Sequence, residues 1–150
     1  MHSRKVSPKS SPKKSPRRSP KTRKSPKNSS KAVAKLISVL FHSRTQAHIL
    51  HLQTKSFAAH KALDNYYTSI IPLADKYAES YQGIYGLIKG YQSMPKVLEG
   101  QKEIIPYFNA LEKQVSSMRS KLPKDLDLEN AYADILDLIH STQYLLKELH

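Results

Sequence analysis

The sequence predicts an all-α protein, four helices packed as a bundle behind a disordered basic tail. Three observations carry this reading. From Ala32 onward, apolar residues recur at i, i+3, i+4 and i+7 in four successive stretches, the spacing of one helix face. No stretch alternates with the period of a strand. The charge is also split: residues 1–31 hold 12 of the 25 Lys and Arg and no acid, while residues 32–150 hold the other 13 beside all 12 Asp and Glu. Twelve of the 13 net positive charges therefore lie in a tail, and the 119 residues after it are long enough to bury a modest core.

The tail spans residues 1–31. Ser-Pro followed by Lys or Arg occurs five times, starting at Ser7, Ser11, Ser15, Ser19 and Ser25. Only Val6 is apolar between Arg4 and Ser30, so no burial offsets the entropy of ordering the backbone, and disorder is expected. The cations Lys9, Lys13, Lys14, Arg17, Arg18, Lys21, Arg23, Lys24 and Lys27 fit the phosphates of DNA. If all 12 tail cations engaged, the log–log salt slope would approach about −10. The five serines, each before Pro, fit proline-directed kinases, and phosphorylating all five would add roughly −8 to −10 charges. A nuclear-targeting signal, a solubilising tail or a contact with an anionic membrane are the competing readings.

The four helices follow in order. Val33, Leu36, Ile37, Leu40, Ala47 and Leu50 define the first, over 31–54. The second, over 57–86, carries Leu63, Tyr67, Ile70, Ala74, Tyr77, Tyr81 and Ile84, with Ser56 as its cap. Pro72 interrupts it, and a kink or an end is expected there because Pro removes a backbone hydrogen bond and crowds the Thr68 carbonyl. Gly83, Gly86, Gly90 and Pro95 mark a long connection. Ile104, Phe108, Leu111, Val115, Met118 and Leu122 form the third helix, over 101–121. After a turn at Pro123, Lys124 and Asp125, Leu128, Ala131, Ile135, Leu138, Thr142, Leu145 and Leu149 form the fourth, over 127–148. Tyr66, Tyr67, Tyr77, Tyr81, Tyr85 and Tyr91 gather around the second helix; packing with hydroxyls at a wet edge is the main expectation, electron transfer the other.

Several function classes are excluded. The absence of Cys removes disulfides, thiolate metal sites and Cys nucleophiles. No apolar run approaches the roughly 20 residues of a membrane span, and the N-terminus lacks the apolar stretch of a secretory signal. An intracellular, DNA-associated location is expected, in a nucleoid, nucleus or virion.

The candidate site is a set of five metal-binding side chains, His48, His60, Asp64, Asp75 and Glu79. Counted from His60, the acids stand at +4, +15 and +19, within an arc of about 100° on an ideal helix. Fifteen residues of helix span about 22 Å, too far for one ion, so a shared site needs a second copy of the chain. His51, one turn beyond His48, competes with it as a ligand or as a group behind the ligands. A solvated polar face is the alternative. His42, His140 and His150 are expected at the surface.

The pattern His-x11-His-x3-Asp-x10-Asp-x3-Glu, with FAAHKALDNYY (57–67) and DKYAESYQG (75–83), resembles the ferroxidase motif of the Dps family, ferritin-like proteins that protect bacterial DNA. More loosely, it is similar to small ferritin-like proteins of phages and viruses. The resemblance implies a ferritin-like four-helix bundle. It implies a homo-oligomer, at least a two-fold dimer, with a dodecamer as the larger alternative, and an iron site at the two-fold interface. His48, His60 and Asp64 would come from one subunit, and Asp75 and Glu79 from its mate. It further implies oxidation of Fe(II) by peroxide or oxygen. Ile49 stands where the family often has Trp, and Gln53, Thr54 and Lys55 replace its Gly-containing corner. The tail resembles the SPKK and SPRR elements of linker and sperm histones, associated with A/T-rich minor grooves. Two alternatives stand beside the ferroxidase: an architectural DNA-packaging protein without redox chemistry, and a helical interaction module with a nuclear-targeting tail.

Overall fold

A computed structural model describes residues 22–149. Among these residues there is no strand. The order is α1 (Ser29–Gln53), α2 (Phe57–Tyr85), a 3-10 turn at Gln101–Glu103, α3 (Ile104–Met118), a second 3-10 turn at Arg119–Lys121, and α4 (Leu126–Glu148). The sequence-based limits hold to within one or two residues for α1, α2 and α4. The span 101–121 is helical throughout, but both of its ends tighten to 3-10 geometry. Pro106 falls in the first turn of α3, where its missing N–H has no helical partner to lose.

The helices pack in a ring: α1 against α2, α2 against α4, α4 against α3, and α3 back against α1. Side-chain bonds fix their directions. Lys76 on α2 meets Asp134 on α4 at 2.8 Å, and Tyr85 meets Asp125, so α2 and α4 are antiparallel. The α3–α4 pair is antiparallel too, with Tyr132 bonded to the Val115 carbonyl and Gln143 to that of Phe108. The connection over 86–100 runs along α1. Gln92 N–H donates to Ser38 Oγ, Leu98 N–H to Gln46 Oε1 and Gly100 N–H to Gln53 Oε1. The chain therefore crosses the full length of the bundle before α3 begins. The result is two antiparallel hairpins joined by one long crossover.

The core confirms the first and third apolar stripes residue by residue: Val33, Leu36, Ile37, Leu40, Ala47 and Leu50, and Ile104, Phe108, Leu111, Val115, Met118 and Leu122 are all buried. The fourth stripe needs correction. Leu138 and Leu145 are half-buried and Leu149 is exposed, while Tyr132, Ile139 and Leu146 take the inward positions. A period of 3.6 drifts off a strict seven-residue repeat, and α4 follows the helix rather than the repeat.

Pro72 neither ends α2 nor divides it, since the helix is continuous for 29 residues. Pro72 is exposed, so its ring faces away from the core. Thr68 bonds its hydroxyl back to the Asp64 carbonyl at 2.8 Å, a further side-chain bond in the turn that Pro72 crowds.

The expected disorder of residues 1–31 is also corrected at its C-terminal end. Helix α1 starts at Ser29, and residues 22–28 lie against the bundle. Arg23 N–H donates to the Ile84 carbonyl at 2.9 Å, and the Arg23 guanidinium pairs with Asp125. Composition gives no hint of this, because the partners of Arg23 lie 61 residues or more away in sequence.

Candidate metal site at the α1–α2 corner

The tight corner between α1 and α2 brings three histidines together. Thr54 N–H closes α1 on the Leu50 carbonyl, and Ser56 caps α2 by accepting from Ala59 N–H at 3.2 Å. With only residues 54–56 between the helices, the last turn of α1 faces the first turns of α2.

His51 and His60 stack with ring centroids 3.8 Å apart. Each ring also reaches across to the other's backbone: His51 Nδ1 donates to the His60 carbonyl at 3.0 Å, and His60 Nδ1 to the His51 carbonyl at 3.2 Å. A carbonyl only accepts, so both Nδ1 atoms carry the proton. In the neutral rings this leaves each Nε2 with a free lone pair, the tautomer of an oriented imidazole ligand.

His48 takes a different place. It stacks on Tyr67 with centroids 4.2 Å apart, and 5.9 Å separates it from the His51 ring. The direct partner of His60 is therefore His51, and the structure favours His51 over His48 in the pair. Spacing alone could not decide this, because both residues lie on nearby faces of α1 and the corner length selects between them.

Asp64 is half-buried one turn beyond His60. Tyr67 donates its hydroxyl to Asp64 Oδ1 at 2.8 Å, and Lys61 lies 3.6 Å from Asp64 Oδ2. The Tyr67 hydrogen bond first, with the Lys61 ammonium adding positive charge, holds the Asp64 carboxyl below its ordinary range. The same bond raises the Tyr67 phenol. Arg44 sits 5.9 Å above the Tyr67 ring. Tyr67 and Arg44 were missed as parts of the site, although Tyr67 three residues after Asp64 is a helix-neighbour signal.

Asp75 and Glu79 are exposed further along α2. With α2 continuous, about 22 Å of rise separates Asp75 from His60. They do not join the histidines within one chain. Among the described residues, no group of three or more His, Asp or Glu side chains stands close enough to hold an ion.

The remaining site residues divide by position. Lys24 and Lys27 are exposed beside α1. Arg23 is held by Asp125, and Ser25 by Tyr81 and Ser29. Lys9, Lys13, Lys14, Arg17, Arg18, Lys21, Ser7, Ser11, Ser15 and Ser19 lie outside the described residues, as does His150. His140 is exposed and 3.8 Å from Glu112, whereas His42 is half-buried and desolvation lowers its pKa. Of the tyrosines, Tyr66 and Tyr77 are fully buried; Tyr66 shares a hydrogen bond with Ser43 at 2.8 Å, and burial pushes both phenols up.

Fold and side chains together define an all-helical, crossover-connected bundle with a histidine-rich corner and a basic N-terminal segment. The chain belongs to the family described as "Family of unknown function (DUF5856)", whose model matches residues 51–146. It is also similar to the "Uncharacterized 14.6 kDa protein in mobD-ri intergenic region" of Enterobacteria phage T4, at 27% identity over 110 residues, covering 73% of this chain and 84% of that protein. No solved structure matches it. Among the described residues, no helix is long and apolar enough to cross a membrane.

Proposed function

We propose that the protein is a phage-type, ferritin-like DNA-binding protein that oxidises Fe(II) at a site shared between two subunits. The observation that carries this reading is the continuity of α2. It keeps exposed Asp75 and Glu79 in line with His60 and Asp64 but a full site's length away. In a two-fold dimer with antiparallel α2 helices, each end of the stripe meets the opposite end of its copy. His60, His51 and Asp64 of one subunit then face Asp75 and Glu79 of the other, twice per dimer.

The donor chemistry fits Fe(II) as substrate. Imidazole nitrogen and carboxylate oxygen suit that ion, and no thiolate is present. The Nδ1 bonds fix both imidazoles with Nε2 free, and Tyr67 keeps Asp64 ionised. The single long crossover is the connectivity of ferritin-like bundles, in agreement with the fold the sequence motif implies. Two Fe(II) would each give one electron to one peroxide, which with two protons becomes two waters, and this two-electron reduction releases no hydroxyl radical beside DNA; with oxygen instead, two Fe(II) and two protons give peroxide.

The tail supplies the second function. Its cations would neutralise phosphate without reading bases, since no helix among the described residues has the character of a recognition helix. Glu79→Ala should abolish Fe(II) oxidation and leave DNA retardation intact, while removal of residues 1–21 should do the reverse. Loss of both activities in either variant would refute the division of labour. DNA retardation without Fe(II) oxidation in the intact chain would favour the architectural reading.

A further inference from the structure

The segment over 22–28 crosses the end of the bundle where α2 finishes and α4 begins. Two residues hold it. Arg23 donates its backbone N–H to Ile84, its guanidinium pairs with Asp125 and reaches the Tyr85 hydroxyl at 3.3 Å, and its charge lies 5.3 Å over the Tyr85 ring. Ser25 Oγ lies 2.8 Å from the Tyr81 hydroxyl and 2.5 Å from Ser29 Oγ. Tyr81 and Ser29 are almost wholly buried, at 2% and 1% exposure. Asp125 starts α4 but makes no side-chain cap there; its carboxylate is given to Tyr85 and Arg23 instead. These contacts tie the root of the tail to the fold.

We propose that Ser25 is a phosphorylation site that works this latch. Ser25 precedes Pro26 and Lys27, the order a proline-directed kinase uses. The γ-phosphoryl group of ATP passes to Ser25 Oγ; the hydroxyl loses its proton and ADP leaves. The Ser25 position accepts a neutral hydroxyl that shares protons with a phenol and a second hydroxyl. A phosphate brings three more oxygens and roughly two negative charges to the same place. Ser25 is half-buried, and the phosphate would stand against the buried Tyr81 and Ser29, whose hydroxyls already share the Ser25 oxygen. It also competes with Asp125 for the Arg23 guanidinium two residues away. Phosphorylation therefore releases the tail root and takes Arg23 away from Asp125. The kinase acts on the open segment, because in the closed one the half-buried Ser25 hydroxyl is bonded to Tyr81 and Ser29, and the phosphate then prevents reclosure. The inference concerns the latch alone and is independent of iron and DNA binding.

The test uses the full chain with a proline-directed kinase and ATP, site mapping by mass spectrometry, and hydrogen exchange across residues 22–30. Phosphate is expected on Ser25, with exchange of the Arg23 amide rising about tenfold. Arg23→Ala opens the latch without phosphate, so Ser25 should be phosphorylated several-fold faster in that variant. Ser25→Ala should abolish the kinase-dependent rise in exchange. Failure to modify Ser25 in both the native chain and Arg23→Ala would overturn the proposal. So would phosphorylated chain whose Arg23 amide keeps its native protection, or equal rates of Ser25 modification with and without Arg23.

Discussion

Gln46→Met tests how the crossover is held. Gln46 is fully buried in the middle of α1, an unusual place for an amide. Its side chain accepts from Leu98 N–H at 2.7 Å and donates to the Leu98 carbonyl at 2.8 Å. This bidentate clamp ties the 86–100 connection to α1 by two hydrogen bonds, and that stretch has no helix or strand of its own. Met keeps the length and apolar bulk of the side chain and removes both partners. Leu98 lies at the surface, so water reaches its freed backbone groups in part, and each lost bond costs about 1–1.5 kcal/mol rather than the full penalty of an orphaned buried group. The pair sums to about 2–3 kcal/mol. At about 2–4 °C per kcal/mol for a chain of this size, Tm should fall by about 4–12 °C. Thermal unfolding followed by circular dichroism measures this. Hydrogen exchange at the Leu98 amide should accelerate in the same variant while α2 and α4 keep their protection. A Tm unchanged within about 1 °C, with Leu98 still protected, would refute the clamp.

Three other substitutions bear on the same structure. Tyr67→Phe removes the hydrogen bond that depresses Asp64, so the Asp64 pKa should rise in a carbon-detected NMR titration. Because the folded pKa lies below the unfolded one, the stabilisation from Asp64 is present above the unfolded carboxylate range and is lost as pH falls through the folded value; the variant should show less acid sensitivity in that window. Tyr77→Phe deletes a buried hydroxyl that has no hydrogen-bond partner among the described residues, and should be neutral or raise stability by up to about 1 kcal/mol in urea denaturation, whereas clear destabilisation would contradict the unpaired state. Pro72→Ala restores an N–H for the Thr68 carbonyl within a continuous α2 and should raise stability by about 1–3 kcal/mol, with helicity unchanged or slightly increased.

Much of the architecture is visible in the sequence because helix periodicity is a local signal. The cap at Ser56 and the stripes through Leu36 and Phe108 needed no tertiary knowledge. Long-range choices were not visible. The path of the 86–100 connection depends on Gln46, Ser38 and Gln53, whose backbone partners Leu98, Gln92 and Gly100 lie far along the chain. The docking of Arg23 depends on Asp125 in the same way, since a charge in a basic tract carries no mark of its partner. At the candidate site, spacing put His60 and Asp64 on one face with Asp75 and Glu79, and the continuous α2 retains that alignment. The pairing of His51 rather than His48 with His60 was set by the three-residue corner, whose geometry periodicity does not encode.

The central claim is that one site is built from two chains. His60→Ala and Glu79→Ala should each be inactive alone in Fe(II) oxidation, because every site in either homodimer lacks one ligand. Mixed after dissociation and reassociation, they form heterodimers in which one of the two sites receives native His60 from one chain and native Glu79 from the other. With random pairing, about a quarter of the native number of sites is restored. Fe(II) oxidation is expected at about that fraction of the native rate. A mixture no more active than its inactive components, although heterodimers have formed, would contradict it.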